Sequence, residues 1–225
     1  MILYHGSRVI VETPVYGAGS EHNDYGRGFY CTEDVDLAKE WSCPVASDGF
    51  VNQYDLDMNG LRILNLGKEP YHILNWIAIL LKNRVFLKTT PLAIKAYQYI
   101  VETFLPDTTN YDVIRGYRAD DSYFAYAKDF LSNAISVGQL RQAMTLGELG
   151  EQIVLISPKA FSQIHFQKCI IADGSFYHGA RQRREVRARN AYLDNHGLAF
   201  QLENEDLYVR DILNQGVKND DPRLR

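Results

Sequence analysis

Three short stretches of this chain carry residue types that can do chemistry together. The first is His5-Gly6-Ser7, a histidine at the end of an apolar run followed by a glycine whose backbone can approach a ligand closely. Its plainer reading is a strand-end histidine bonded to a nearby carbonyl before a tight turn. The second is Asp24-Tyr25-Gly26-Arg27-Gly28-Phe29-Tyr30, with Ala38 and Trp41 a short way downstream. Glycines around an arginine let backbone amides and a guanidinium address a phosphate or carboxylate, while Tyr30 and Trp41 offer flat faces to a planar ring. The alternative is a glycine loop before a core strand. The third is Glu151-Gln152, at the mouth of the apolar run Ile153-Val154-Leu155-Ile156. A carboxylate there can bind a sugar hydroxyl and stabilise positive charge developing on the sugar, or it can be a solvated strand-end acid.

Elements that would position these groups follow from local pattern. Ile2 to His5 reads as a strand stopped by Gly6-Ser7, and Phe29-Tyr30-Cys31 as a second strand. Thr32, followed by Glu33, Asp34 and Asp36, opens a helix reaching about Ser42 and stopping before Pro44. Phe50 to Leu56 and Leu61 to Leu64 read as two strands joined by an Asn59-Gly60 hairpin. Helical spacing marks Tyr71 to Arg84 and the segment opened by Thr90-Pro91. Tyr111 to Ile114 is a short strand, Ser122 to about Ala134 an aromatic-rich helix, and Ser136 with Gln139 a capping box. Glu151 to Ile156 is the clearest late strand, Ser157-Pro158 caps a short helix, and Cys169 to Ala172 is a last strand. This irregular interleaving points to an α+β fold rather than a doubly wound parallel sheet.

The whole chain of 225 residues has 46% hydrophobic residues and a formal net charge of −4, which excludes disordered and collagen-like classes and any global field for polyanions. Three cysteines stand far apart, no His or Cys spacing suits a metal, and no run is long enough to span a membrane, so a cytoplasmic protein without a metal site is expected. Composition shifts near Gly179, where Arg181, Arg183, Arg184, Arg187 and Arg189 crowd together. We divide the chain into a domain over 1–175 and an arginine-rich helical extension over 176–225. The stripe Arg181, Arg184, Arg187 suits nucleic-acid phosphates or an acidic partner, or else pairs with the chain's own acids.

In their order, the His-Gly strand, the Gly-x-Gly-Phe-Tyr strand leading into a helix, and the Glu-Gln-Ile-Val strand resemble the ADP-ribosyltransferase superfamily of the His-Tyr-Glu type, that of diphtheria toxin and poly-ADP-ribose polymerase. The resemblance covers roughly residues 1–170. Val51-Asn52-Gln53-Tyr54, Tyr111 to Gly116 and Ala119-Asp120-Asp121 are further similar to a bacterial branch often encoded beside toxin–antitoxin partners. It implies two packed antiparallel sheets around an NAD cleft, with helices at the edges. It also implies transfer of ADP-ribose, in the manner of a mono-ADP-ribosylating toxin or phage-defence effector, to a protein, RNA or DNA acceptor, with an antitoxin protein as a further partner.

Carried over by residue, His5 binds the adenosine-side ribose, the Gly6 backbone holds the nicotinamide carboxamide, and Tyr30 stacks on the nicotinamide ring with Trp41 as a second aromatic. Ser7, Gly28, Phe29 and Ala38 complete the cofactor-binding set, and Arg27 meets the pyrophosphate by charge. Glu151 takes the place of the catalytic glutamate. Successive strand side chains face opposite ways, so only one of Glu151 and Gln152 can enter the cleft. If it is Gln152, another acid such as Asp121 assists, or the domain only binds NAD. A module that binds NAD or ADP-ribose without turnover, and an NAD glycohydrolase, are the alternative readings.

Overall fold

A computed structural model describes residues 1–86, 90–119, 121–144, 150–198 and 206–225. It is an α+β structure with two sheets. The first contains β1 (Ile2–Ser7), β3 (Gly49–Leu56) and β7 (Ile164–Ala172), in the order β1-β3-β7 and antiparallel throughout. The second contains β2 (Phe29–Cys31), β4 (Ile63–Asn65), β5 (Val113–Tyr117) and β6 (Glu151–Leu155), ordered β2-β6-β5-β4. Its β4–β5 pair is parallel, so the expectation of two antiparallel sheets is corrected to one antiparallel and one mixed.

That parallel pair also overturns the hairpin expected at Asn59-Gly60. The turn forms, with Gly60 at φ +68 and the Asp57 carboxylate accepting from the Asn59 amide. The chain then leaves the first sheet and enters the second, and Arg62 N–H donates to the Asp112 carboxylate at 2.8 Å. Tertiary capture by β5 thus outweighs a local turn signal.

Alternation along the strands sorts the core into layers. Leu3, Tyr54 and Leu56 of the first sheet meet Phe29, Cys31, Ile153 and Leu155 of the second. Behind the first sheet, Ala38 and Cys43 lie with Val51 and Ala172, where helices α1 (Val35–Ser42) and α7 (Gly174–Leu198) pack. Behind the second, Leu64, Ile114 and Val154 pack on helices α2 (Ile73–Asn83), α3 (Pro91–Phe104), α4 (Asp121–Leu131) and α5 (Val137–Ala143). Helix α2 fits this place because nine of its eleven residues are buried, among them Trp76, Ile77 and Leu80.

Local capping follows the sequence with one shift. Thr90 accepts from the Ala93 amide ahead of Pro91, Ser136 and Gln139 form their reciprocal box, and Ser157 precedes Pro158 in a short α6 (Pro158–Ser162). At α1 the cap is Asp34, which accepts from the Asp36 and Leu37 amides, while Thr32 instead accepts from the Asp34 amide. The stretch Asn219-Asp220-Asp221-Pro222, which by composition reads as a fraying tail, is docked, with the Asn219 side chain accepting from Asn75 Nδ2 at 2.7 Å. Helix α8 (Val209–Gln215) buries Ile212, and the short 3-10 turn Pro222–Leu224 buries Leu224 in the same core as α2 and α3.

The arginine stripe resolves into internal pairing at two of its three positions. Arg184 makes two hydrogen bonds, 3.0 and 2.9 Å, to the buried Glu40 carboxylate of α1, and Arg181 pairs with Glu185 one turn on. Arg187 is exposed. No described helix is long and apolar enough to cross a membrane.

Candidate functional site

Where β1 and β2 part, a cavity of about 570 Å³ opens, a size that suits a nucleotide-scale ligand. Among the described residues, backbone pairing along this edge of β1 is confined to Tyr4 and Thr32, the residue after β2, whose amides and carbonyls exchange bonds of 2.8 and 3.0 Å. On β1, Met1 exchanges bonds with Leu56 of β3, so by alternation the backbone groups of Leu3, His5 and Ser7 also face β3. Those of Tyr4 and Gly6 face the β2 side. Thr32 takes the pair at Tyr4, and no described backbone group takes the pair at Gly6. Gly6 therefore keeps one N–H and one C=O without a described backbone partner next to His5, the donor–acceptor couple that a carboxamide matches, although Gly6 is not itself among the residues lining the cavity.

His5 lines the cavity. Its Nδ1 lies 2.7 Å from the Tyr30 carbonyl oxygen, which only accepts, so Nδ1 carries the hydrogen and Nε2 is left as an acceptor. Burial lowers its pKa from the usual histidine value, outweighing the bond to Tyr30, so the ring is neutral at pH 7. Phe29 backs it, with ring centroids 4.4 Å apart.

Tyr30 also lines the cavity, and its hydroxyl is tied down. It donates to the Gly26 carbonyl at 2.6 Å and accepts from the Tyr25 amide at 3.1 Å, and burial pushes its pKa well up. Both bonds fix the ring as a flat wall. Gly28 lines the cavity and crosses close over β6, where a Cβ would lie 2.5 Å from Val154 Cγ1.

Tyr30 opposes Val154 across the β2–β6 pair, so Tyr30, Val154 and Gln152 share one face. Of the two residues that alternation left open, Gln152 is the one lining the cavity, and it is 6% exposed. Glu151 points from the opposite face, where the Arg115 Nε donates to it at 2.6 Å and the same guanidinium reaches Glu33 at 3.0 Å.

Beside Gln152 stands Asp24, equally buried. Its carboxylate accepts from the Ala119 amide at 2.9 Å and from Gln152 Nε2 at 3.4 Å, and Arg84 Nε lies 3.3 Å away. Burial raises the Asp24 pKa, while the Ala119 bond and the charges of Arg84 and Arg118 oppose that rise. Asp24, Arg84, Asn23 and Ala119 all line the cavity.

Sequence reasoning did not single out Asp24 or Arg84 as site residues. Asp24 opens the glycine motif, and a lone acid before a glycine loop reads as a turn residue. Arg84 reads as the last residue of a helix, and nothing local says that the helix ends at the cavity.

Other expected residues stand elsewhere. Arg27 is 59% exposed on its side chain and pairs with Glu21 at 3.2 Å, away from the cavity lining, where Arg84 is the cation instead. Ala38 is fully buried behind the first sheet, against the Cβ-less side of Gly6. Ser7 accepts from Asn52 Nδ2 at 3.1 Å, and the same Asn52 carboxamide accepts from the Val11 amide, so both anchor the segment leaving β1.

Trp41 is outside the lining and carries the Arg118 guanidinium 4.8 Å over its ring. Asp121 is the first residue of α4, and its side chain lies outside the described residues, as does Asp120. Among the described residues no group of three or more His, Cys, Asp or Glu could hold a metal ion.

A model of the family described as "Protein of unknown function (DUF3990)" matches residues 1–166. No curated protein and no solved structure matches the chain.

Proposed function

The chain belongs to the DUF3990 family, proteins of unknown function, and from its cleft we propose that it is an NAD-dependent ADP-ribosyltransferase with the fold of that superfamily, acting in the cytosol. One observation carries the reading. Past the Tyr4–Thr32 bridge, β1 and β2 diverge beside a cavity lined by His5 and the fixed Tyr30 ring, with the Gly6 amide and carbonyl, which take no described backbone partner, one residue beyond His5. A carboxamide-bearing aromatic ring joined to a ribose asks for that set: a donor and an acceptor for the amide, a flat wall for the ring, and acceptors for hydroxyls.

In this reading Gly6 holds the nicotinamide carboxamide, Tyr30 the ring and His5 a hydroxyl of the adenosine-side ribose. Gln152 Oε1 is buried without a hydrogen-bond partner and suits a hydroxyl of the other ribose. Arg84 takes the part assigned from sequence to Arg27, that of the cation nearest the pyrophosphate. Bound NAD supplies the bond between nicotinamide and ribose, and an acceptor on a protein, RNA or DNA takes the ADP-ribose. An antitoxin protein remains the proposed partner of the branch it resembles.

A second reading is favoured by the amide at the cleft. Gln152 carries no charge, so a domain that binds NAD without turnover, or passes ADP-ribose only to water, fits the same walls. The test is incubation with NAD labelled in its adenylate, alone and with cell lysate. Label transfer with nicotinamide release supports the transferase. Release with free ADP-ribose supports the glycohydrolase, and binding alone supports the module. Absence of all three overturns the NAD reading.

A further inference from the structure

Gln152 and Asp24 form a pair whose polarity is fixed by chemistry. An ionised carboxylate can only accept, so the carboxamide facing it must turn its NH2 toward Asp24, as it does at 3.4 Å. The other end, Oε1, is then the end left over, buried and without a partner in a residue that lines the cavity. Asp24 is itself held. Its Oδ2 also accepts from the Ala119 amide, and Arg84 stands against Oδ1 with Arg118 nearby.

We propose that Asp24 is a positioning residue, orienting the Gln152 carboxamide so that an acceptor oxygen meets a ligand hydroxyl in the cleft, an acid–amide pair standing where a single acid would serve. The ligand class is a ribose diol, and in this the inference rests on the NAD reading above. Asp24→Asn removes the orienting carboxylate. Asp24 Oδ2 accepts from both the Ala119 amide and Gln152, so the new carboxamide must choose: its NH2 turned to Gln152 costs the Ala119 amide its acceptor and turns the Gln152 NH2 into the cleft, while its oxygen kept there sets the NH2 against the Arg84 guanidinium. Asp24→Asn combined with Gln152→Glu reverses the pair at the cost of the Ala119 bond, since the new NH2 at position 24 donates to a carboxylate that still offers an oxygen to the cleft.

For NAD cleavage we expect kcat of Asp24→Asn to fall roughly 10–100-fold, the usual scale for a residue that orients another, with KM changed less than about threefold. The double variant is expected to recover at least about tenfold over Asp24→Asn. Parallel loss of melting temperature, NAD binding and kcat in Asp24→Asn, with no recovery in the double variant, overturns the inference in favour of a purely structural Asp24.

An independent measurement separates this from the NAD reading. The side-chain NH2 resonance of Gln152, assigned by its disappearance in Gln152→Glu, is expected to be slowed in solvent exchange and to shift in Asp24→Asn. An unmoved resonance overturns the pairing whatever NAD does. A moved resonance with no NAD binding or cleavage by the wild type supports the pairing and overturns the NAD reading.

Discussion

Gly6→Ala tests whether one residue serves two sides of β1 at once. On one side its N–H and C=O face the opening toward β2. On the other, its missing side chain lets α1 lie against the strand. A Cβ at residue 6 would stand 2.0 Å from the Ala38 carbonyl oxygen and 2.9 Å from the Ser42 amide nitrogen. Ordinary contact is near 3.5 Å, so roughly 1.5 Å must be opened between strand and helix.

Both obstacles are backbone, and no rotamer change relieves them. The strand cannot yield freely either, because it is bonded to β3 along one edge and to Thr32 through Tyr4. Overpacking costs about 1–3 kcal/mol where side chains can adjust, so about 3 kcal/mol or more is expected here. For a chain of this size that is roughly a 6–12 °C fall in melting temperature.

His5 is the adjacent residue, so a displacement near 1 Å should also weaken NAD binding by about tenfold or more well below the melt. Gly17→Ala is the control: Gly17 has φ +80 and nothing within 4 Å of a Cβ, so only the left-handed backbone penalty of about 1–2 kcal/mol applies. Thermal melts and calorimetric titration with NAD read both effects. A Gly6→Ala protein with wild-type melt and affinity would refute the packing argument.

Further outcomes follow from other contacts. Glu151→Ala removes a half-exposed pair with Arg115 on the face opposite Tyr30 and Gln152, so NAD turnover should persist and stability change by less than about 1 kcal/mol; abolished turnover in a folded protein would return the catalytic role to Glu151. Tyr30→Phe deletes the hydroxyl held by Gly26 and Tyr25 and should cost about 1–3 kcal/mol in urea melts while keeping the ring, whereas Tyr30→Ala should lose most NAD affinity. Arg184→Ala leaves the buried Glu40 carboxylate without its bidentate partner and should cost about 3–5 kcal/mol; a loss below about 1 kcal/mol would remove the pair as the anchor of α7. His5 has its pKa lowered by burial, so the unfolded chain takes up a proton first as pH falls. Its contribution to stability is full above about 6.5 and declines below that, until the folded ring is protonated too. A melting series from pH 8 to 5 should show that decline reduced in His5→Gln, and identical slopes would exclude it.

The sequence alone determined what local physics decides. The Phe29-Tyr30-Cys31 strand, the capping residues Thr90, Ser136 and Ser157, and the strand at Glu151 lie where hydrophobic pattern and hydrogen-bonding side chains put them, because each depends on neighbours within a few positions, while β1 starts as expected but runs on through Gly6-Ser7, read as its stop, because β3 pairs with both. His5, Gly28, Phe29 and Tyr30 could be read as site residues for the same reason, since short runs carry their own chemistry.

Tertiary structure decided the rest. Alternation says that Glu151 and Gln152 face opposite ways, but which one meets the cavity depends on pairing with β2, a strand more than a hundred residues earlier. Parallel capture of β4 by β5 overrode a hairpin turn whose own geometry still forms. Asp24 and Arg84 lie far apart in sequence and meet only because α2 ends at the cavity and Ala119 arrives from the end of β5 to bond the acid. Groups brought together by long-range closure leave no periodic trace in the chain, so the pocket's acid and its cation had to come from the fold.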